Sequence, residues 1–157
     1  IPNVTLVGSG CSKEIPNRMK ALGGQYPLIV TDKGIVACGI LKQITDILDA
    51  AGMKYCVYDE TVPNPTDKNV EAATKMYKDN KCDSLITIGG GSSHDCGKGV
   101  GFVAGCGGTI HDYEGVQDFR RYVQRQHGGV HQVHHLNHFL SRGFRTICCT
   151  HISMKFS

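Results

Sequence analysis

Three consecutive glycines, Gly89–Gly91, end the apolar run "SLITI" and lead directly into "SSHDCGKGVGFVAG", a stretch rich in small residues that reads as a helix. A strand that turns into a helix through bare backbone limits what this chain can become. Such a turn leaves no side chain in the way of an approaching group, and the helix start offers free N–H donors and the positive end of its dipole. In parallel sheets, strands are joined by crossovers and ligands sit beyond their carboxyl ends. A glycine turn alone also serves tight packing, so the neighbouring segments decide its meaning.

Those segments repeat the alternation. "YPLIVTD" reads as a short buried strand, and "GILKQITDILDAAG" as a helix with Ile40, Ile44, Ile47 and Leu48 on one face and Gly52 at its close. "MKYCVYDE" follows as a second strand, "TDKNVEAATKMYKDN" as a helix capped by Thr66, and "DSLITIGGG" as a third strand. The expected fold is α/β, a Rossmann-like parallel sheet with flanking helices and right-handed crossovers. Gly and Ala in the helix after Gly91 permit close approach to that sheet.

Composition narrows the function classes. The 157 residues, 40% hydrophobic and 20% charged, suffice for one domain with a real core. A formal charge of +3 with dispersed Lys and Arg argues against nucleic acid or an anionic membrane as partner. Eight cysteines, at 11, 38, 56, 82, 96, 106, 148 and 149, form no CxxC pair and read as reduced thiols, which points to a cytoplasmic setting. The opening "IPNVTLVGSG" has neither the basic flank nor the apolar length of a targeting or membrane segment. It also lacks an initiator Met, so the expectation is of a start further upstream.

Around the glycine turn, the donors suit an anionic diphosphate. Ser92 and Ser93 add hydroxyls, and Asp95 is expected in the first helical turn. Asp32 closes the strand "LIVTD", where its carboxylate can accept hydrogen bonds from the two hydroxyls of an adenine ribose. The same charge repels a 2′-phosphate, so NAD is preferred over NADP. Capping of the next helix is an equally good use for Asp32. "VPNPTDKN" makes a stiff turn whose Asn64 amide can reach a ligand or simply close a rigid loop.

Four segments, "ALGGQYPLIVTDKG", "VPNPTDKNV", "ITIGGGSSHDCGKG" and "GGTIHDYEGV", together resemble the N-terminal half of the iron-containing alcohol dehydrogenase family, in the same order and at similar spacing. The resemblance runs from about Ile1 to Val116. It implies a dehydroquinate synthase-like NAD-binding domain, 1–118, from an enzyme whose second, helical domain holds Fe2+ or Zn2+. There the metal polarises the alcohol oxygen and hydride passes to the nicotinamide. The resemblance puts Asp32 at the adenosine ribose, Asn64 in the cleft, and Gly90, Gly91 and Ser92 under the pyrophosphate. It transfers no catalytic residue and no metal ligand. "VPNPTDKNV" and "DYEGV" resemble the alcohol dehydrogenase branch more than the related glycerol dehydrogenase or dehydroquinate synthase groups. A nucleotide-binding module without catalysis is the alternative from another class.

Two departures stand out. Pro16 replaces the family's usual Gly and is expected to stiffen or shorten the first helix. After Val116 the family's TTAGT-type turn has no counterpart, and 119–157 becomes an irregular, His-rich tail. His131, His134, His135 and His138 share a helical face, with Cys148, Cys149 and His151 nearby, yet the run matches no metal motif and has no cap. The sudden change of composition is the pattern of a shifted coding frame, and a tail of that origin is expected to pack poorly. The chain alone is then expected to be inactive and to self-associate through exposed apolar surface.

Overall fold

The computed structural model describes residues 6–113 and 146–149. A 3₁₀ turn, Cys11–Glu14, precedes α1 (Ile15–Ala21), β1 (Pro27–Val30), α2 (Lys33–Ala37), α3 (Ile40–Ala50), β2 (Cys56–Tyr58), α4 (Asp67–Asp79), β3 (Ser84–Ile88) and α5 (Gly91–Cys106). A second 3₁₀ turn, Ile110–Tyr113, and β4 (Thr146–Cys149) complete the order. Among the described residues no helix is long and apolar enough to cross a membrane.

All strand pairs are parallel, and the sheet order is β2-β1-β3-β4. Leu28 stands opposite Cys56 on one side and Leu85 on the other, which sets the register of the three central strands. β1 and β3 are buried at every position, as strands covered on both faces must be, and their sequences "PLIV" and "SLITI" are correspondingly apolar.

Strand alternation divides the core into two layers. Leu28, Val30 and Leu85 pack with Val70 and Ala73 of α4 and Cys96, Val100 and Val103 of α5. Ile29, Ile86 and Ile88 pack on the opposite side with Ile15 and Met19 of α1 and Ile44 and Leu48 of α3. The chain leaves β1 towards β2 with α2 and α3 on one face, then returns past β1 to β3 with α4 on the other. That reversal of direction is what right-handed crossovers require, and it makes the β1/β3 boundary the switch point of the sheet.

Small residues set the spacing of the α5 layer. A side chain at Gly97 would collide with the Thr87 methyl, and one at Gly99 would lie 2.8 Å from the Val70 Cγ2. The Gly-rich helix therefore lies closer to the sheet and to α4 than an ordinary helix does, as its composition implied.

The three central strands and the three longer helices, α3, α4 and α5, fall where the sequence pattern puts them. Gly52, just past α3, takes a left-handed φ of 66°. Pro16 sits in the first turn of α1, where its missing N–H costs nothing, and the helix runs seven residues. The short α2 was not legible, because "KGIVACG" carries Gly34 inside the helix and Gly39 just beyond it and has no apolar period. Thr146–Cys149, within the stretch set apart by composition, pairs with β3 and makes β4 the edge of the sheet. The remainder of 119–157, including the His131–His138 cluster, lies outside the described residues.

Candidate functional site

The carboxyl ends of β1 and β3 open side by side at the switch point, and Thr31 ties them together. Its N–H donates to Tyr58 O at 2.8 Å and its hydroxyl to Ile88 O at 2.8 Å, while its carbonyl accepts from Thr61 N at 3.3 Å. One fully buried residue thus fixes the exits of all three central strands. The loops that leave them, at 32, 59–66 and 89–91, therefore lie at the same end of the sheet.

Asp32 is the N-cap of α2, with extended backbone, and its Oδ1 accepts from Ile35 N at 3.0 Å. Its Oδ2 accepts from the Ser93 hydroxyl at 3.0 Å. The two uses proposed for Asp32 are therefore compatible, since one oxygen caps the helix and the other turns towards the start of α5. Each oxygen keeps a further lone pair, so the carboxylate can still accept from a ligand.

Gly89 adopts φ +138°, and a Cβ there would lie 2.7 Å from the Ser93 Oγ and 3.1 Å from the Asp32 Oδ2. A glycine is required to let β3 turn beneath that hydrogen bond. Gly90 and Gly91 are exposed, and a Cβ on either would meet nothing within 4 Å. Gly90 is the N-cap of α5 and supplies no side-chain cap. The first intrahelical bond on the described backbone runs from His94 N to Gly90 O at 3.2 Å, so the N–H groups of the first turn face outwards. This is an open cradle of donors at the positive end of a sixteen-residue helix.

Ser93 departs from its expected role. It is fully buried and donates to Asp32 instead of facing the cradle, leaving the half-buried Ser92 as the hydroxyl beside it. Asp95 lies beyond the first turn of α5, and its carboxylate accepts from Lys98 at 3.1 Å. The sequence named Ser93 as a donor but carried no sign of its partner, which comes from a strand 61 residues away.

Asn64 is exposed on the rim with φ +55°, a left-handed conformation that Asn tolerates better than most residues. Its loop is pinned from below. Asn69 Oδ1 accepts from Thr66 N at 3.1 Å, and Asn69 Nδ2 donates to the Glu60 carbonyl at 3.1 Å and the Tyr58 hydroxyl at 3.2 Å.

His94 lies behind the cradle, with its Nδ1 2.8 Å from the Thr87 Oγ1. Burial, aided by the Lys98 ammonium, pushes its imidazole below the ordinary histidine range. Among the described residues no three His, Cys, Asp or Glu side chains converge as a metal site. The described residues therefore do not fit the Fe2+ or Zn2+ that the sequence resemblance implies. The described cysteines, Cys11, Cys38, Cys56, Cys82 and Cys96, are all free thiols.

Comparison with known proteins identifies the family. A family model described as iron-containing alcohol dehydrogenase matches residues 2–132, reaching past the Val116 at which the motif resemblance stops. The chain is 42% identical over 116 residues to alcohol dehydrogenase 4 of Schizosaccharomyces pombe, covering 74% of this chain and 28% of that protein. It is 37% identical over 123 residues to the NAD-dependent methanol dehydrogenase of Bacillus methanolicus, covering 78% and 32%. The solved alcohol dehydrogenase from Oenococcus oeni superposes with a TM-score of 0.68 at 38% identity, over 73% of this chain and 30% of that one. The chain thus spans about a third of the length of these relatives.

Proposed function

The chain belongs to the iron-containing alcohol dehydrogenase family, and from that premise we propose that its described part is the NAD-holding wall of an oxidoreductase acting on a small alcohol or aldehyde. The observation that carries the proposal is the hydrogen bond from Ser93 to Asp32, which joins the glycine cradle to the acidic end of β1. In this reading the outward N–H groups at Gly91 and Ser92 hold the diphosphate, with Gly90 clearing its approach. Asp32 accepts from the adenosine ribose hydroxyls, and the Asn64 amide borders the cleft. The negative charge of Asp32 disfavours a 2′-phosphate, which favours NAD over NADP.

Bound NAD supplies a nicotinamide ring that accepts hydride. The protein's part, as read here, is to bind and orient the dinucleotide. The family resemblance carries no catalytic residue and no metal ligand onto this chain, and we expect it to bind cofactor without oxidising alcohol, even with added Fe2+ or Zn2+. The free thiols support a reducing, cytoplasmic setting.

Titration with NADH and NADPH, followed by nicotinamide fluorescence, tests the assignment. Saturable binding with NADH preferred, and a preference that relaxes in Asp32→Gly, is the expected result. Glycine is a tolerable N-cap, but the variant also leaves the buried Ser93 hydroxyl without its acceptor, so it should lose about 1–3 kcal/mol of stability, and a thermal melt checks that it is folded. Equal indifference to both nucleotides in the unmodified chain contradicts the proposal.

A further inference from the structure

Next to Asp32 stands a cation that the ribose site does not use. Lys33 Nζ donates to the Asp59 Oδ2 at 2.7 Å, bridging the exits of β1 and β2. Consecutive Cα atoms lie about 3.8 Å apart, so the flexible Lys33 stem starts on the backbone next to Asp32 and has several ångströms of reach. Glu60 follows Asp59, and its charge also acts on Lys33, whose ammonium is held above its ordinary pKa chiefly by the hydrogen bond to Asp59. The rim therefore carries three carboxylates, Asp32, Asp59 and Glu60, against one ammonium already engaged by one of them.

We propose that the Lys33–Asp59 pair is a second determinant of cofactor choice, in which Asp59 engages the lysine that would otherwise be free to meet a ribose 2′-phosphate. The inference rests on the reading that Asp32 holds the adenosine ribose. A 2′-phosphate brings further negative charge to a rim that is already acidic. Removing Asp32 alone relieves one repulsion but leaves Lys33 bound to Asp59. Removing the Asp59 charge as well releases a donor suited to a phosphate oxygen. Lys33 is 68% exposed, and pairs of this kind contribute little to folding, so the substitution perturbs recognition more than stability.

The test compares Asp32→Gly, Asp32→Gly/Asp59→Asn and Asp32→Gly/Asp59→Asn/Lys33→Gln for their ratio of NADPH to NADH affinity, with thermal melts confirming that each is folded. The double variant should raise the ratio about threefold to tenfold over Asp32→Gly, and the gain should vanish with Lys33→Gln and shrink at high salt. An unchanged ratio in the double variant, or a gain that survives Lys33→Gln, overturns the inference while the ribose assignment stands. Failure of the unmodified chain to bind NADH overturns both together.

Discussion

At the residue scale, the site depends on how Ser93 and Asp32 hold each other. Ser93 is buried and its hydroxyl reaches Asp32, so Ser93→Ala leaves that carboxylate oxygen without its protein donor. We predict a stability loss of about 1–2 kcal/mol by urea unfolding together with weaker NADH binding, because the carboxylate is no longer aimed. A cofactor effect without any stability effect would show the hydroxyl to be exposed to the ligand instead. His94 gives a pH dependence of definite sign. Its folded-state pKa is depressed, mainly by burial, so the unfolded chain takes up the proton first as pH falls. The stability it contributes is complete above about pH 6.5 and is lost below it as pH falls towards the folded pKa. The urea midpoint of the unmodified protein should therefore drop more steeply between about pH 7 and 5 than that of His94→Gln. Parallel profiles would contradict this.

At the element scale, the glycines of α5 separate into tightly packed positions and open ones. Gly97→Ala forces a methyl into Thr87 and should cost about 1–3 kcal/mol in urea or thermal unfolding. Gly91→Ala has open space before it and lies in the first helical turn, so its stability should change by no more than about 0.5 kcal/mol. Its methyl nevertheless points into the volume assigned to the diphosphate, and NADH affinity should fall. Nothing in the one-dimensional pattern distinguishes Gly91 from Gly97, because the difference lies in what stands opposite each. The strands were legible since both buried faces force continuous apolar runs, and α3 was legible from its apolar period. α2 was not, since five residues with a glycine among them carry no periodic signal and its start is fixed by Asp32 after folding. Ser93 was named as a donor for the same reason it was misassigned: its residue type was visible, but its partner was not.

At the scale of the molecule, two apolar layers clamp a parallel sheet whose switch point falls between β1 and β3. Strand order was beyond reach of the sequence, because alternation of strands and helices is the same for every arrangement of a parallel sheet. Yet the order is what puts Asp32 and the glycine turn at neighbouring strand ends, since β1 and β3 are neighbours only if β2 lies outside them. The central claim is that a dinucleotide spans these two ends. Amide chemical-shift mapping during titration with NAD tests it most directly. The account predicts saturable shifts concentrated at Thr31–Ile35 and Gly89–His94, while the opposite end of the sheet around Gln25, Tyr26 and Asp83 stays still. Saturable shifts concentrated at that opposite end, or no saturable shifts at the β1 and β3 exits, would contradict it.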